Sequence, residues 1–276
     1  MSSRQISDFA RHLKCEERAQ GTIDKYLRDV SAFAGWLDGR EVTKEVVVQW
    51  KETLLSGGDA PATVNSKLSA VNSLFRFLGW EECRVRFLKI QRQLFRDNSR
   101  ELTRAEYGRL LDAARGLGRE RLAMLIETMC ATGIRVSEVR YITVESAKNG
   151  MTEISMKGKI RTILLQEKLC RKLLKYARKN RITSGEIFVT RDGGSLSRKQ
   201  IWAEMKALCR QANVEPTKVF PHNLRHLFAR TFYRVCRDVV RLADVLGHSH
   251  IETTRIYLVS TAEEHVRQME RLGLVS

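Results

Sequence analysis

The sequence predicts a mainly α-helical chain in two domains, with a small antiparallel β-sheet in the second. Three observations predict it. Apolar residues recur at helical spacing through the first part of the chain. A basic interruption follows and ends in a helix-start signal, and further on two short apolar runs flank a Lys-Gly-Lys turn. At 276 residues the chain also exceeds the usual size of one domain.

From Thr22 to Leu37 the apolar residues Ile23, Tyr26, Leu27, Val30, Phe33, Ala34 and Leu37 fall on one helical face. Thr63 to Leu78 repeats the pattern with Val64, Leu68, Val71, Leu74, Phe75 and Leu78, and Val42 to Leu55 reads as a further helix before the SGGDAP turn cluster. Residues 1–92 therefore predict a small helical bundle. The segment KIQRQLFRDNSR is basic with a single acid, and it places the interdomain linker at 93–102. A capping box of Thr103 and Glu106 opens the second domain, 103–276. Similar boxes, Ser197 with Gln200 and Thr261 with Glu264, predict later helices. The runs at Arg140–Val144 and Ile160–Leu165 read as short strands, and EISMKGKIRTILL as strand, tight turn at Lys157-Gly158-Lys159, strand.

With 43% hydrophobic and 29% charged residues, the chain can bury a core and lies far from disordered compositions. Its net charge of +17 points to a polyanionic partner, nucleic acid first. Residues 1–95 hold 15 basic and 12 acidic side chains, so most of the excess follows residue 95. The densest stretch, Met151 to Arg181, carries ten Lys and Arg against two acids. Lys159, Arg161, Lys168, Arg171 and Lys172, with Arg198 and Lys199 beyond it, are the candidate DNA contacts, and binding should depend strongly on salt. Six cysteines without a CxxC pair or Cys/His cluster indicate neither a zinc site nor a disulfide framework, which fits a reducing cytoplasm. Neither an N-terminal apolar core nor a run of about 18 apolar residues is present, so export and membrane spanning are not expected.

The segment PHNLRHLFARTFYRV places Leu224, Leu227, Phe228, Thr231 and Val235 on one face of a helix, leaving His222, Arg225 and His226 opposite. A His and an Arg one turn apart can address a single phosphate, the one with a titratable proton, the other with fixed planar charge. Alone, such a pair is ordinary solvated surface. In LADVLGHSHIETTRIYLVST, Gly247 ends a helix, His248 follows, and Tyr257 lies nine residues later on an apolar-flanked turn. In ATGIRVSEV, Gly133 ends an apolar helix just before Arg135, with Glu138 one turn beyond.

Taken in order, ATGIRVSEV, the Lys157 hairpin, PHNLRH and LGHSHIETTRIY resemble the tyrosine recombinase, or phage integrase, family, in its short two-domain form typical of Xer proteins and transposon integrases. The likeness extends over essentially the whole chain. It implies an N-terminal helical core-binding domain and a C-terminal mixed α/β catalytic domain. Position by position it makes Tyr257 the nucleophile, Arg135 and Arg225 the clamp on the scissile phosphate, and Lys157 the general acid. His222 and His248 become proton-transfer or phosphate-binding partners. Because the hairpin is shorter than the family's usual turn, Lys159 is an alternative to Lys157.

Physical chemistry explains the need for these groups. A phenol ordinarily titrates at about 10, so it must shed a proton as it attacks, and histidine is the natural acceptor. Paired guanidiniums can hold the charge of a phosphorane-like state without a metal ion. A phosphotyrosine ester conserves the bond energy, so rejoining needs no ATP, and no GxxxxGK[ST] motif is present. The resemblance also implies double-stranded DNA as partner, a homotetramer on paired sites, no cofactor, and room for an accessory DNA-bending protein. It further implies a cytoplasmic, nucleoid-associated place in a prokaryotic, phage or mobile-element setting. The helix expected at Thr261–Leu272 would dock on a neighbouring protomer or on its own core. Type IB topoisomerase activity, a non-catalytic DNA binder of the same fold, and a basic RNA-binding protein are the competing readings.

Overall fold

The computed structural model describes residues 1–90, 100–156, 159–248, 250–255, 257, 266–267 and 269–273; for 155, 156 and 159 it describes the backbone alone. The chain forms two compact units, Met1–Arg92 and Gln93–Ser276. Both are dominated by helices. None of the described helices is long and apolar enough to cross a membrane.

In the first unit, α1 (Ser3–Cys15) starts at a capping box of Ser2 and Gln5. Then come α2 (Gln20–Leu37), α3 (Lys44–Ser56), capped by the Thr43 side chain, and α4 (Pro61–Leu78), which has proline in its first turn and left-handed Gly79 at its end. One face of α4 packs Val64, Leu68, Val71 and Phe75 against Phe33, Val47 and Trp50. Ala70 and Leu74 pack instead against Phe9, Leu13, Ile23 and Val30, which is how α1 joins the core. Two asparagines a heptad apart on α4 then hold the returning chain. Asn72 donates to the Val85 carbonyl at 2.9 Å and accepts from its amide at 3.2 Å, and Asn65 does the same for Leu88 at 2.9 and 2.8 Å. Each side-chain amide, Asn72 buried and Asn65 partly so, thereby uses both its donor and its acceptor.

The second unit begins before α5. Of the expected linker, residues 93–99 lie outside the described residues, but Glu101 and Leu102 are buried, held by Arg230 through an ion pair and a bond to the Leu102 carbonyl. The helices are α5 (Arg104–Gly116), α6 (Glu120–Thr132), α7 (Val144–Asn149), α8 (Glu167–Lys179), α9 (Arg198–Lys206), α10 (Cys209–Ala212), α11 (Pro221–Cys236), α12 (Val239–Leu246) and α13 (Ile251–Arg255). The Thr103 and Ser197 capping boxes are present. The Thr261 box lies outside the described residues. Of the helix expected at 261–272, residues 266–267 and 269–270 are helical, and Val266, Met269 and Leu272 are exposed.

Strands β1 (Met151–Met156) and β2 (Lys159–Leu164) pair antiparallel, Met156 opposite Lys159, so the predicted hairpin forms and Lys159 belongs to a strand. Lys157 and Gly158 lie outside the described residues. The strand expected at Arg140–Val144 is not formed. A 3₁₀ helix covers Val136–Tyr141, and Thr143 caps α7 through a box with Ser146, keeping a single bridge to Glu186. The run Arg140–Val144 suggested extended backbone, but the Thr143 hydroxyl accepts from the Ser146 amide and starts a helix in its place.

Candidate active site

Four chain segments converge on one constellation, partly buried and partly open to solvent: the end of α6 with the 3₁₀ turn after it, strand β2, helix α11, and the end of α12 through Tyr257. Arg225 on α11 is its centre. Expected on the solvent face, it is only 2% exposed. Its Nη1 donates to the Gly133 carbonyl, and Nη2 donates to the Leu246 carbonyl at 2.7 Å. Both acceptors stand at helix C-termini, where carbonyls lack partners within the helix and the macrodipole is negative. A buried cation is tolerable there because backbone oxygens replace water.

Both helices end on glycine with positive φ, Gly133 at 64° and Gly247 at 63°. A Cβ at Gly133 would collide with the Phe228 ring, and one at Gly247 with the aliphatic stem of Arg161. At these two positions glycine serves close approach as well as backbone conformation.

His248 follows directly. Its Nε2 lies 2.8 Å from Arg225 Nη2, and its Nδ1 2.8 Å from Thr254 Oγ1. A guanidinium can only donate, so Nε2 accepts and the proton resides on Nδ1, which donates to the threonine hydroxyl. Burial, then the positive charge of Arg225, Arg135 and Arg161, lowers the imidazole to about 4. Near neutral pH this ring carries no charge. Thr254, fully buried on α13, fixes its orientation.

Tyr257 is 3% exposed and packs with Ala229, Leu242 and Leu246. Its ring lies nearly parallel to His248, 11° and 5.8 Å between centroids, and His226 meets it edge-on at 4.5 Å and 75°. His222 stands 6.1 Å away and itself meets His226 at 4.5 Å. Tyr257 is also an electrostatic neighbour of Arg225 and favours its charged form, against the burial that lowers it.

On the opposite side, Arg135 is exposed and turned by Glu138, whose Oε1 accepts from its Nη1 at 2.9 Å and whose Oε2 accepts from its backbone amide at 2.7 Å. Glu138 is 3% exposed and is shared with Arg161, Nη1 of which reaches both carboxylate oxygens at 3.0 and 3.2 Å. Arg161 also donates from Nη2 to the Val245 carbonyl at 2.8 Å. Burial lowers it to about 10, opposed by Glu138, so it stays charged. Two guanidiniums, those of Arg135 and Arg161, thus share the Glu138 carboxylate, and the exposed one, Arg135, is left with charge to offer an incoming phosphodiester.

The structure brings together Arg135, His222, Arg225, His248 and Tyr257; Lys157 lies outside the described residues. The basic residues expected at the DNA surface divide. Lys168, Arg171, Arg198 and Lys199 are exposed, whereas Lys172 is partly buried and paired with Glu127. Arg161, counted among them from sequence, faces Glu138 and not solvent. The expected apolar face of α11 also needs correction: Leu224 and Leu227 are buried, but Thr231 and Val235 are exposed in its last two turns. Sequence reasoning left Glu138 as a surface partner and did not single out Thr254. Neither carries a periodicity signal that separates it from a solvated side chain or a cap.

The phage integrase family profile matches residues 100–264, and the profile of the phage integrase N-terminal SAM-like domain matches residues 6–82. Tyrosine recombinase XerA of Pyrococcus furiosus is 29% identical, over all of this chain and 96% of its own length. Tyrosine recombinase XerD of Brucella suis is 30% identical over 91% of each chain. Among solved structures, XerH recombinase bound to its difH substrate in a pre-cleavage complex superposes with a TM-score of 0.70 at 19% identity, covering 97% of this chain and 84% of that one. A lambda integrase dimer bound to a COC′ core site does so with a TM-score of 0.74 at 16% identity, covering 93% and 94%. These two likenesses concern the fold, and the sequence matches carry the relationship further. With both profiles in their expected order and relatives 29% and 30% identical over at least 91% of each chain, the chain belongs to the phage integrase family and is a tyrosine site-specific recombinase.

Proposed function

We propose that the protein cleaves and rejoins DNA through a 3′-phosphotyrosyl intermediate on Tyr257, exchanging strands between two duplex sites. The observation that carries this reading is the seating of the Tyr257 ring among three histidines and beside Arg225, all within one chain.

In this reading the scissile phosphate enters between Arg135, which Glu138 turns outward, and Arg225, which two helix ends hold in place. Because the carbonyls of Gly133 and Leu246 already fix the Arg225 guanidinium, it need not reorganise as charge builds on the non-bridging oxygens. The phenolic oxygen attacks phosphorus, its proton leaves to a neighbouring imidazole, and the bond to the 5′ oxygen breaks. His222 and His248 handle protons and hold the phosphate, His248 starting from its neutral form. Lys157, or Lys159 on the same hairpin, protonates the departing 5′ oxygen. In rejoining, a 5′ hydroxyl attacks the phosphotyrosine ester and releases the phenol, so the reaction is thermodynamically near balance without metal or ATP.

The division of labour belongs to the same proposal: residues 1–92 grip DNA, 103–276 carry the chemistry, and 93–102 join them. So does the assembly of four protomers on paired double-stranded sites, with an accessory DNA-bending protein where the sites require one. The reaction takes place in the cytoplasm, on nucleoid or mobile-element DNA.

The decisive experiment uses a nicked suicide substrate, which traps the covalent step. The unmodified protein forms an SDS-resistant protein–DNA adduct and Tyr257→Phe forms none. An adduct persisting in Tyr257→Phe overturns the assignment.

A further inference from the structure

The β-hairpin raises a problem that the catalytic reading leaves open. Its sheet has two strands and no third neighbour among the described residues, and a lone pair of strands is marginal by itself. Yet the general acid must stand within hydrogen-bond reach of a leaving oxygen. Something must fix the hairpin to the rest of the site.

Side chains alternate along a strand. On β2, Ile160, Thr162 and Leu164 are exposed, while Arg161 and Ile163 turn inward. Ile163 enters the apolar core, as does Ile154, which lies opposite Arg161 on β1. Arg161 is therefore the inward anchor nearest the turn among residues whose side chains are described. Its side chain is 10% exposed. From this position it makes two kinds of contact at once: Nη1 spans both oxygens of Glu138, which orients Arg135, and Nη2 binds the Val245 carbonyl at the end of α12, just before His248. An independent observation agrees with this. The left-handed Gly247 leaves space that the Arg161 stem fills, and any Cβ there would strike it.

We propose that Arg161 is a positioning residue that fixes the lysine-bearing hairpin against the phosphate clamp, and that it is not a DNA ligand. This rests on the phosphotyrosyl reading, with a hairpin lysine as general acid. Arg161 acts through geometry. It ties the hairpin root to the loop that holds Arg135 and to the helix end that holds Arg225 and His248, so the three parts of the site keep one register. Its charge serves Glu138 and the helix terminus, leaving the exposed Arg135 to meet the phosphate.

The test compares Arg161→Ala and Arg161→Lys with the unmodified protein in single-turnover cleavage of the suicide substrate. Each is assayed with an ordinary scissile phosphodiester and with a 5′-phosphorothiolate, whose sulfur leaves without a proton. On the ordinary substrate Arg161→Ala slows cleavage by about 10²-fold, the low end of a general acid's contribution. On the phosphorothiolate it cleaves at close to the unmodified rate. Arg161→Lys keeps a charge beside Glu138, so the fold is preserved, but it cannot span both partners and shows the same selective loss. DNA affinity and its salt dependence stay unchanged in both variants.

Equal slowing on the two substrates overturns the proposal. So does a logarithmic salt slope shallower by about one, which identifies a phosphate ligand, or full activity in Arg161→Lys. Lys157→Ala and Lys159→Ala, assayed in parallel, report on the underlying reading. If sulfur rescues neither, the general-acid reading itself fails and the hairpin proposal falls with it. If it rescues one of them but not Arg161→Ala, only the role of Arg161 is lost.

Discussion

Arg225 is buried as deeply as the apolar residues around it, and this joins two properties that sequence keeps apart. On the proposed reading it is a clamp residue whose loss abolishes cleavage; as a buried cation its loss also leaves the carbonyls of Gly133 and Leu246 and the Nε2 of His248 without donors. Each orphaned acceptor costs about 1–3 kcal/mol. Arg225→Ala is therefore expected to lower the midpoint of chemical denaturation as well as to prevent adduct formation, and a variant with unchanged stability would contradict the burial. His248 gives a pH signature. The native imidazole is lowered to about 4, while in an unfolded chain it takes up a proton at about 6.5. Acid thus favours the unfolded chain: this contribution is fully present above about 6.5 and is lost progressively as pH falls toward about 4. In denaturation midpoints measured across that window, His248→Gln should show a shallower decline than the unmodified protein.

At the level of the element, two left-handed glycines end two helices so that their terminal carbonyls meet the same side chain. Gly247→Ala forces a positive-φ residue into the Arg161 stem, and Gly133→Ala forces one into Phe228. Each should destabilise by more than about 1 kcal/mol, read as a fall in thermal midpoint, and Gly247→Ala should in addition slow cleavage. The glycines themselves were legible in the sequence as helix ends, as were α2, α3, α4, the hairpin and the boxes at Thr103 and Ser197. Periodicity reports one apolar face, which is why it placed Arg225 in solvent: α11 has a second buried face, where Arg225 stands one turn from Ala229 of another apolar cluster. The 140–144 strand failed for a similar reason, since the run Arg140–Val144 speaks for extended backbone while the cap formed by Thr143 decides for a helix. Arg161 was indistinguishable from its basic neighbours because nothing local in sequence reveals that Glu138, twenty-three residues earlier, lies beneath it.

For the whole molecule, the +17 charge makes DNA binding a matter of counterion release. Replacing the exposed Lys168, Arg171, Arg198 and Lys199 with alanine should weaken binding and reduce the logarithmic salt slope by about 0.9 for every phosphate no longer neutralised. At saturating DNA the same variant should still form the Tyr257 adduct, which separates gripping from chemistry. Unchanged affinity would remove these four from the DNA surface.

Tyr257 packs against the same chain's α11 and α12, beside that chain's own Arg225. On the proposed reading, a protomer furnished this way supplies its own nucleophile. If equal amounts of Tyr257→Phe and Arg225→Ala proteins are mixed on one DNA site, two defective copies should remain inert, since neither completes the other. An enzyme whose tyrosines cross between subunits would recover part of its cutting in such a mixture, so genetic complementation distinguishes self-sufficient cleavage from shared cleavage.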